Sequence, residues 1–237
     1  TGGMIRTFCN TFKGGAYKKR PALILKTSSA TFSVIDRETM LLKIRSIRNS
    51  IPNAPNVYLV HGDMDPAELN SLYNHPKVKA QTYLCFSFSK TYSLYNHPKV
   101  KAHISFTKGE GFGRPLLEAS LSGKPVIASN WSGQVDFLKH SIKLPGQLQQ
   151  VHESVVWKDI ILKESQWFYV NYNYAGKVLR EVYKNYKATL DGARKQAHYS
   201  RENFSLEKMH KDFAVMVEKY VPVEVEFKMP TLQAIKS

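Results

Sequence analysis

Acidic residues and cysteines are scarce in this chain, and long apolar runs are absent. Only two cysteines occur, Cys9 and Cys85. They form no pattern with histidine, so reduced thiols of a cytoplasmic protein are expected rather than a disulfide scaffold. No stretch approaches the ~20 apolar residues of a membrane span. The eight histidines include no HExxH pair and no carboxylate-histidine cluster, so no metal site is expected. A GxSxG nucleophile turn and a Walker phosphate loop are likewise missing. The opening Thr1-Gly2-Gly3 is no signal peptide, and it reads as a domain truncated at its N-terminus.

Basic residues are abundant, 34 Lys+Arg against 19 Asp+Glu, for a formal net charge of +15. The excess is uneven: 20 against 8 in residues 1–150, and 14 against 11 in 151–237. A basic first part suits a partner bearing phosphates, whether a sugar nucleotide, a nucleic acid, an anionic acceptor or a membrane surface. Runs such as Lys18-Lys19-Arg20 are equally well explained as a solvated face. Hydrophobic content of 43% and aromatic content of 12% are those of a globular protein.

Apolar periodicity predicts a helix over 3–13, with Met4, Ile5, Phe8 and Phe12 on one face. A strand follows at 21–25, an amphipathic helix at 37–48 and a strand at 57–60. Asp65-Pro66-Ala67-Glu68 has the form of a capping box and starts another helix. This alternation argues a parallel sheet with helices on both faces. The decapeptide SLYNHPKVKA at 71–80 recurs unchanged at 93–102. Leu84, Phe86 and Phe88 alternate between the copies in strand fashion, so the extra residues must loop out or add a strand. Past 130, a short helix is expected at 133–138, then a less regular region from Leu144. Trp167-Phe-Tyr-Val170 reads as core or crossover. Helices are expected near 174–187, 189–199 and 205–219, buried through Val178, Val182 and Tyr186 and through Phe213, Val217 and Tyr220. Residues 221–237 read as an extended tail, leaving one domain over 1–220.

The most informative stretch is 102–130. An apolar strand leads into Gly109-Glu110-Gly111-Phe112-Gly113. Pro115 then suits the first turn of a helix, Gly123 its stop, and Val126-Ile127-Ala128 a second buried strand. Such a unit aims its loop and the free N–H groups of a helix start at one spot, which favours an anion. Glu110 and Glu118 flank that spot with seven residues between them.

Glu-x7-Glu inside GEGFGRPLLEA, followed by SGKPVIAS, resembles the donor-site signature of retaining GT-B glycosyltransferases of the glycogen-synthase/sucrose-synthase type. The resemblance implies a Rossmann-like α/β donor domain, one half of a GT-B fold, with C-terminal helices. It implies a nucleotide-diphosphate sugar as donor and no cofactor or metal. Carried across, Glu110 meets the transferred sugar and is the candidate catalytic position. Glu118 meets the ribose, and Gly111, Phe112 and Gly113 meet the diphosphate, with Leu117 lining the same helix. Arg114 stands where the family has an apolar residue; it is read as a phosphate or acceptor contact or as an exposed basic residue. Lys26, at a strand end, is a candidate phosphate partner or a surface lysine. Gly62 and Met64 fall where the family's backbone binds the base. The acceptor domain and a catalytic histidine belong to the part of the family's fold that precedes this chain, so little activity is expected of the chain alone. The alternatives are a non-catalytic nucleotide-sugar-binding domain and a basic nucleic-acid-binding protein.

Overall fold

A computed structural model describes residues 2–16, 20–27, 34–61, 83–87, 95–96 and 98–220. The chain divides into two compact units, Thr1–Ser200 and Arg201–Ser237.

Six parallel strands form the sheet of the first unit: β1 (Ala22–Thr27), β2 (Val57–His61), β3 (Tyr83–Ser87), β4 (Val100–Ser105), β5 (Val126–Ser129) and β6 (Ile142–Leu144). Their order across the sheet is β2-β1-β3-β4-β5-β6. All six residues of β1 are buried, as its continuous ALILKT run requires of a strand covered on both faces. β3 runs parallel to β1 on one side, Leu25 opposite Phe86, and to β4 on the other, Cys85 opposite His103. The segment between the repeated decapeptides therefore adds a strand, and adds it in the middle of the sheet. In a doubly wound 3-2-1-4-5-6 order that slot belongs to the first strand. The first decapeptide copy and the helix expected at Asp65 lie outside the described residues.

Helices α1 (Gly2–Phe12) and α2 (Val34–Asn49) begin the unit. Met4, Ile5, Phe8, Cys9 and Phe12 recur at helical spacing and are buried, so α1 presents one apolar stripe to the sheet. α3 (Arg114–Ser120) and α4 (Gln134–Phe137) follow β4 and β5, and α5 (Tyr172–Lys184) and α6 (Tyr186–Asn203) follow the last strands. Asn171 caps α5 through its side chain, accepting from the Tyr174 N–H at 2.9 Å. Ala175, Leu179 and Val182 of α5 join Leu23, Leu25, Ile104 and Ile127 of the sheet in one core. Val178 is half-buried against that core, and Tyr186 is half-buried.

Two expectations change. The region after Leu144 is regular: β7 (Gly146–Gln150) and β8 (Gln166–Val170) pair antiparallel as a separate two-stranded sheet. Trp167-Phe-Tyr-Val170 is thus a strand that turns Phe168 and Val170 into the core. In the second unit, α7 (Leu206–Tyr220) is a helix started by Ser205, whose hydroxyl accepts from the Lys208 N–H at 3.2 Å. Its apolar stripe is exposed rather than buried: Phe213 is 64% and Tyr220 70% accessible, and Val217 is partly open. Helical periodicity reports that a stripe exists, not what covers it.

Candidate functional site

The loop after β4 is held from three sides. Glycine at 113 adopts φ +89°, the left-handed conformation, and its carbonyl accepts from the N–H groups of Leu116 and Leu117 at 2.9 and 3.2 Å. A Cβ there would meet Gln134 Cβ, Glu110 Cγ and Phe137 Cζ at 3.2–3.4 Å, so the chain folds tightly back over Glu110. From the other side, residues after β5 latch the loop. The Gly133 N–H donates to the Glu110 carbonyl at 3.1 Å. Ser132 Oγ donates to the same carbonyl at 2.6 Å and accepts from the Glu110 N–H at 3.2 Å. A side chain at 133 would place its Cβ 2.0 Å from the Gly111 carbonyl oxygen, so only glycine permits this approach. Below, β8 supplies the third support: the Phe168 N–H donates to the Lys108 carbonyl at 3.1 Å. Lys108 Nζ lies 4.5 Å from the Trp167 ring centre and 4.2 Å from that of Tyr169, whose hydroxyl it reaches at 2.9 Å.

These contacts put the expected residues in defined places. Glu110 is half-buried at the loop, between exposed Gly109 and Gly111. Phe112 is 48% exposed and rests on Phe137, ring centres 5.2 Å apart. Glu118 is buried on α3, and Arg114 Nε donates to its Oε1 at 2.8 Å. Arg114 is itself 61% exposed, so it is an open basic residue and the holder of Glu118 at once. Leu117 is half-buried on the same helix.

Lys26 departs from its surface reading. It is 1% exposed inside β1, with interactions within the fold, and β1 stands two strands from β4. At the usual strand spacing that is roughly 10 Å across the sheet, so the structure does not bring Lys26 onto the loop. Its neighbours at the strand ends are Thr27 and His61, joined Oγ1 to Nδ1 at 3.1 Å. Gly62 and Met64 lie outside the described residues.

Several supporting residues were not singled out from the sequence. Ser132 and Gly133 are the latch, and Trp131 stacks on Phe168 at 5.7 Å with rings 5° from parallel. A buried polar network fastens the back of the site: Gln196 Nε2 donates to the Phe137 carbonyl at 2.7 Å, and Gln196 Oε1 accepts from the His140 N–H at 2.7 Å. Ser200 links Gln196 to Ser120 on α3, at 3.0 and 2.8 Å. A Gln among helical residues carries no sequence signal for such a role. Among the described residues no group of three or more His, Cys, Asp or Glu could hold a metal ion, and no helix is long and apolar enough to cross a membrane.

Residues 44–154, which contain the whole loop and both carboxylates, match the family described as glycosyl transferases group 1. The matched segment takes in β4, α3, β5 and the latch, so the loop geometry lies within it. No curated protein matches the chain. Among solved structures, the N-terminal domain of Candida albicans trehalose-6-phosphate phosphatase is similar over 93% of this chain and 39% of its own, with 13% identity and a TM-score of 0.51. Anabaena HepE, solved with UDP-glucose, is similar over 84% of this chain and 41% of its own, with 13% identity and a TM-score of 0.49. The catalytic domain of Arabidopsis thaliana starch synthase IV is similar over 92% and 41%, with 12% identity and a TM-score of 0.39. The first of these likenesses is one of fold. The chain spans less than half the length of each of the three.

Proposed function

We propose that this chain is the donor-binding half of a retaining glycosyltransferase, taking a nucleotide-diphosphate sugar without a metal ion. The observation that carries this reading is the latched loop inside the family match. It holds Glu110 under Gly113 while Arg114 fixes Glu118 on the helix that follows. Glu110 receives the sugar hydroxyls, a carboxylate being a strong acceptor of hydroxyl hydrogen bonds. Glu118 receives the ribose hydroxyls, its carboxylate held in place by Arg114. The loop N–H groups meet the diphosphate at close range, and Arg114 balances its charge. The acceptor and its domain are supplied from outside the chain, so the chain alone binds donor and transfers little or none.

A thermal-shift panel of UDP-, GDP- and ADP-sugars tests this. One class of sugar nucleotide should raise the melting temperature, and Glu118→Gln should remove the response to nucleotide and sugar nucleotide alike. Glu110→Gln should remove only the advantage of the sugar nucleotide over the bare nucleoside diphosphate. Failure of every nucleotide to stabilise the wild-type chain sinks the proposal.

A further inference from the structure

Away from the loop, α1 and α5 pack side by side and leave a cleft of about 760 Å³ between them. Its walls repeat one pattern on both helices. Gly3, Arg6, Thr7 and Asn10 stand at i, i+3, i+4 and i+7 of α1; Asn173, Gly176, Lys177 and Arg180 stand at the same spacing on α5. Each set is one helical face. Each helix therefore has two stripes: an apolar one that enters the core, and a polar, cationic one that faces the cleft.

Three cations, Arg6, Lys177 and Arg180, line this single cleft, and none of the residues lining it is acidic. Among the described residues, none of the three forms an ion pair. The nearest carboxylate in the α5 sequence, Glu181, instead accepts from Asn185 Nδ2 at 2.6 Å. Like charges gathered at a concave surface raise one another's energy and focus a positive potential into the space they enclose. Three exposed lysines elsewhere show a contrasting arrangement, each paired with an acid one turn away: Lys195 with Asp191, Lys208 with Asp212 and Lys211 with Glu207. The cleft volume is within the range of small-molecule sites, and Asn10 and Asn173 add neutral donors at its rim.

We propose that the α1–α5 cleft binds an anion carrying two or more phosphate charges, with Arg6, Lys177 and Arg180 as its ligands. Two guanidinium forks and one ammonium suit phosphate oxygens, which accept several charge-assisted bonds at once. No lining residue belongs to the loop after β4 or to α3, so the site is separate from the one assigned to the donor and stands without it. The phosphates can come from a soluble diphosphate or from a phosphate headgroup at a lipid surface.

The test uses inorganic pyrophosphate and, in parallel, phosphatidylcholine vesicles with and without phosphatidic acid. Proteins compared are the wild-type chain, R6Q/K177Q/R180Q, the charge reversal Arg180→Glu, and Lys195→Gln as a control at an exposed lysine outside the cleft lining. Pyrophosphate is expected to bind the wild type and Lys195→Gln alike at low salt. The triple variant should bind at least tenfold more weakly, with an unliganded melting temperature no lower than that of the wild type, and Arg180→Glu should weaken binding in the same direction. If pyrophosphate fails but sedimentation with phosphatidic-acid vesicles is lost in the triple variant, the site stands and its phosphate comes from lipid. Equal binding of both probes by wild type and triple variant, or an equal loss in Lys195→Gln, overturns the proposal, as does no binding of either probe.

Discussion

At the scale of single residues, the site depends on one position that tolerates no side chain. Gly133 touches Gly111 so closely that an added Cβ would sit 2.0 Å from a carbonyl oxygen belonging to the backbone, which no rotamer can relieve. Gly133→Ala is expected to cost about 3 kcal/mol or to displace the loop, being a large-effect substitution by overpacking against backbone. Chemical denaturation measures the first outcome and loss of nucleotide stabilisation the second; an unchanged variant on both counts contradicts the latch. His103 makes a different residue-scale claim. It is buried beside Tyr95, ring centres 5.0 Å apart, and burial, reinforced by the nearby Lys124 cation, lowers its pKa to about 3. The folded state therefore keeps His103 neutral while the unfolded chain protonates it near pH 6.5. Stability from this group is complete above pH 6.5 and is lost as pH falls towards 3, by roughly 1.4 kcal/mol per pH unit. Unfolding free energies of wild type and His103→Gln between pH 7 and about 5 should diverge by that slope, and parallel curves would refute it.

At the scale of elements, the repeated decapeptide has a structural consequence. β3 lies between β1 and β4 and pairs with both, so it is an interior strand. Deleting residues 71–92 removes one copy of the decapeptide together with β3. An interior strand satisfies two neighbours, and its loss exposes two rows of backbone donors and acceptors. Cooperative thermal unfolding of the deletion variant is expected to be lost or its midpoint to fall by about 10 °C or more, as a loss of roughly 4–5 kcal/mol produces in a domain of this size. A variant that melts like the wild type would mean the sheet closes without β3. Much at this scale was legible beforehand. The helices at 2–12 and 34–49 and the strands at 22–27, 57–61 and 126–129 announce themselves by periodicity and by unbroken apolar runs. The β7–β8 hairpin was not legible, because GQLQQ carries polar residues on an exposed strand and has no alternating apolar face. Nor was the open face of α7, whose Phe213, Val217 and Tyr220 have the spacing of a buried stripe.

At the scale of the whole first unit, residues far apart in sequence hold the site's rear wall. Gln196 on α6 satisfies the Phe137 carbonyl and the His140 N–H, and through Ser200 reaches Ser120 behind Glu118. Gln196 is buried, and removing its amide strips the Phe137 carbonyl of one of its two donors, the other being the Lys139 N–H at 3.0 Å, and takes the side-chain acceptor from the His140 N–H. Gln196→Ala is expected to destabilise by about 2–4 kcal/mol, above the usual effect of a surface change. Ser200→Ala, which leaves the backbone contacts intact, should cost less. Denaturant unfolding of the two variants checks the order, and a reversed order would place the weight on the hydroxyl pair instead. The excess of basic residues also acquires a location at this scale. Arg114 stands at the end of the loop, and Arg6, Lys177 and Arg180 line a cleft that shares no residue with it.

The sequence by itself determined the strand-loop-helix-strand at 102–130, because the glycines, Pro115 and the two glutamates act within a few residues of one another. Local chemistry of that kind needs no knowledge of the remaining chain. Tertiary structure alone decided what closes around it. Whether Lys26 is open or buried depends on the strands beside it, and the order of strands follows from pairing, which is non-local. Gly133 and Gln196 matter because folding sets their backbone or amide against groups 22 and 59 residues away. The cationic cleft arises in the same manner. Arg6 and Arg180 are ordinary helical residues until α1 and α5 lie against each other.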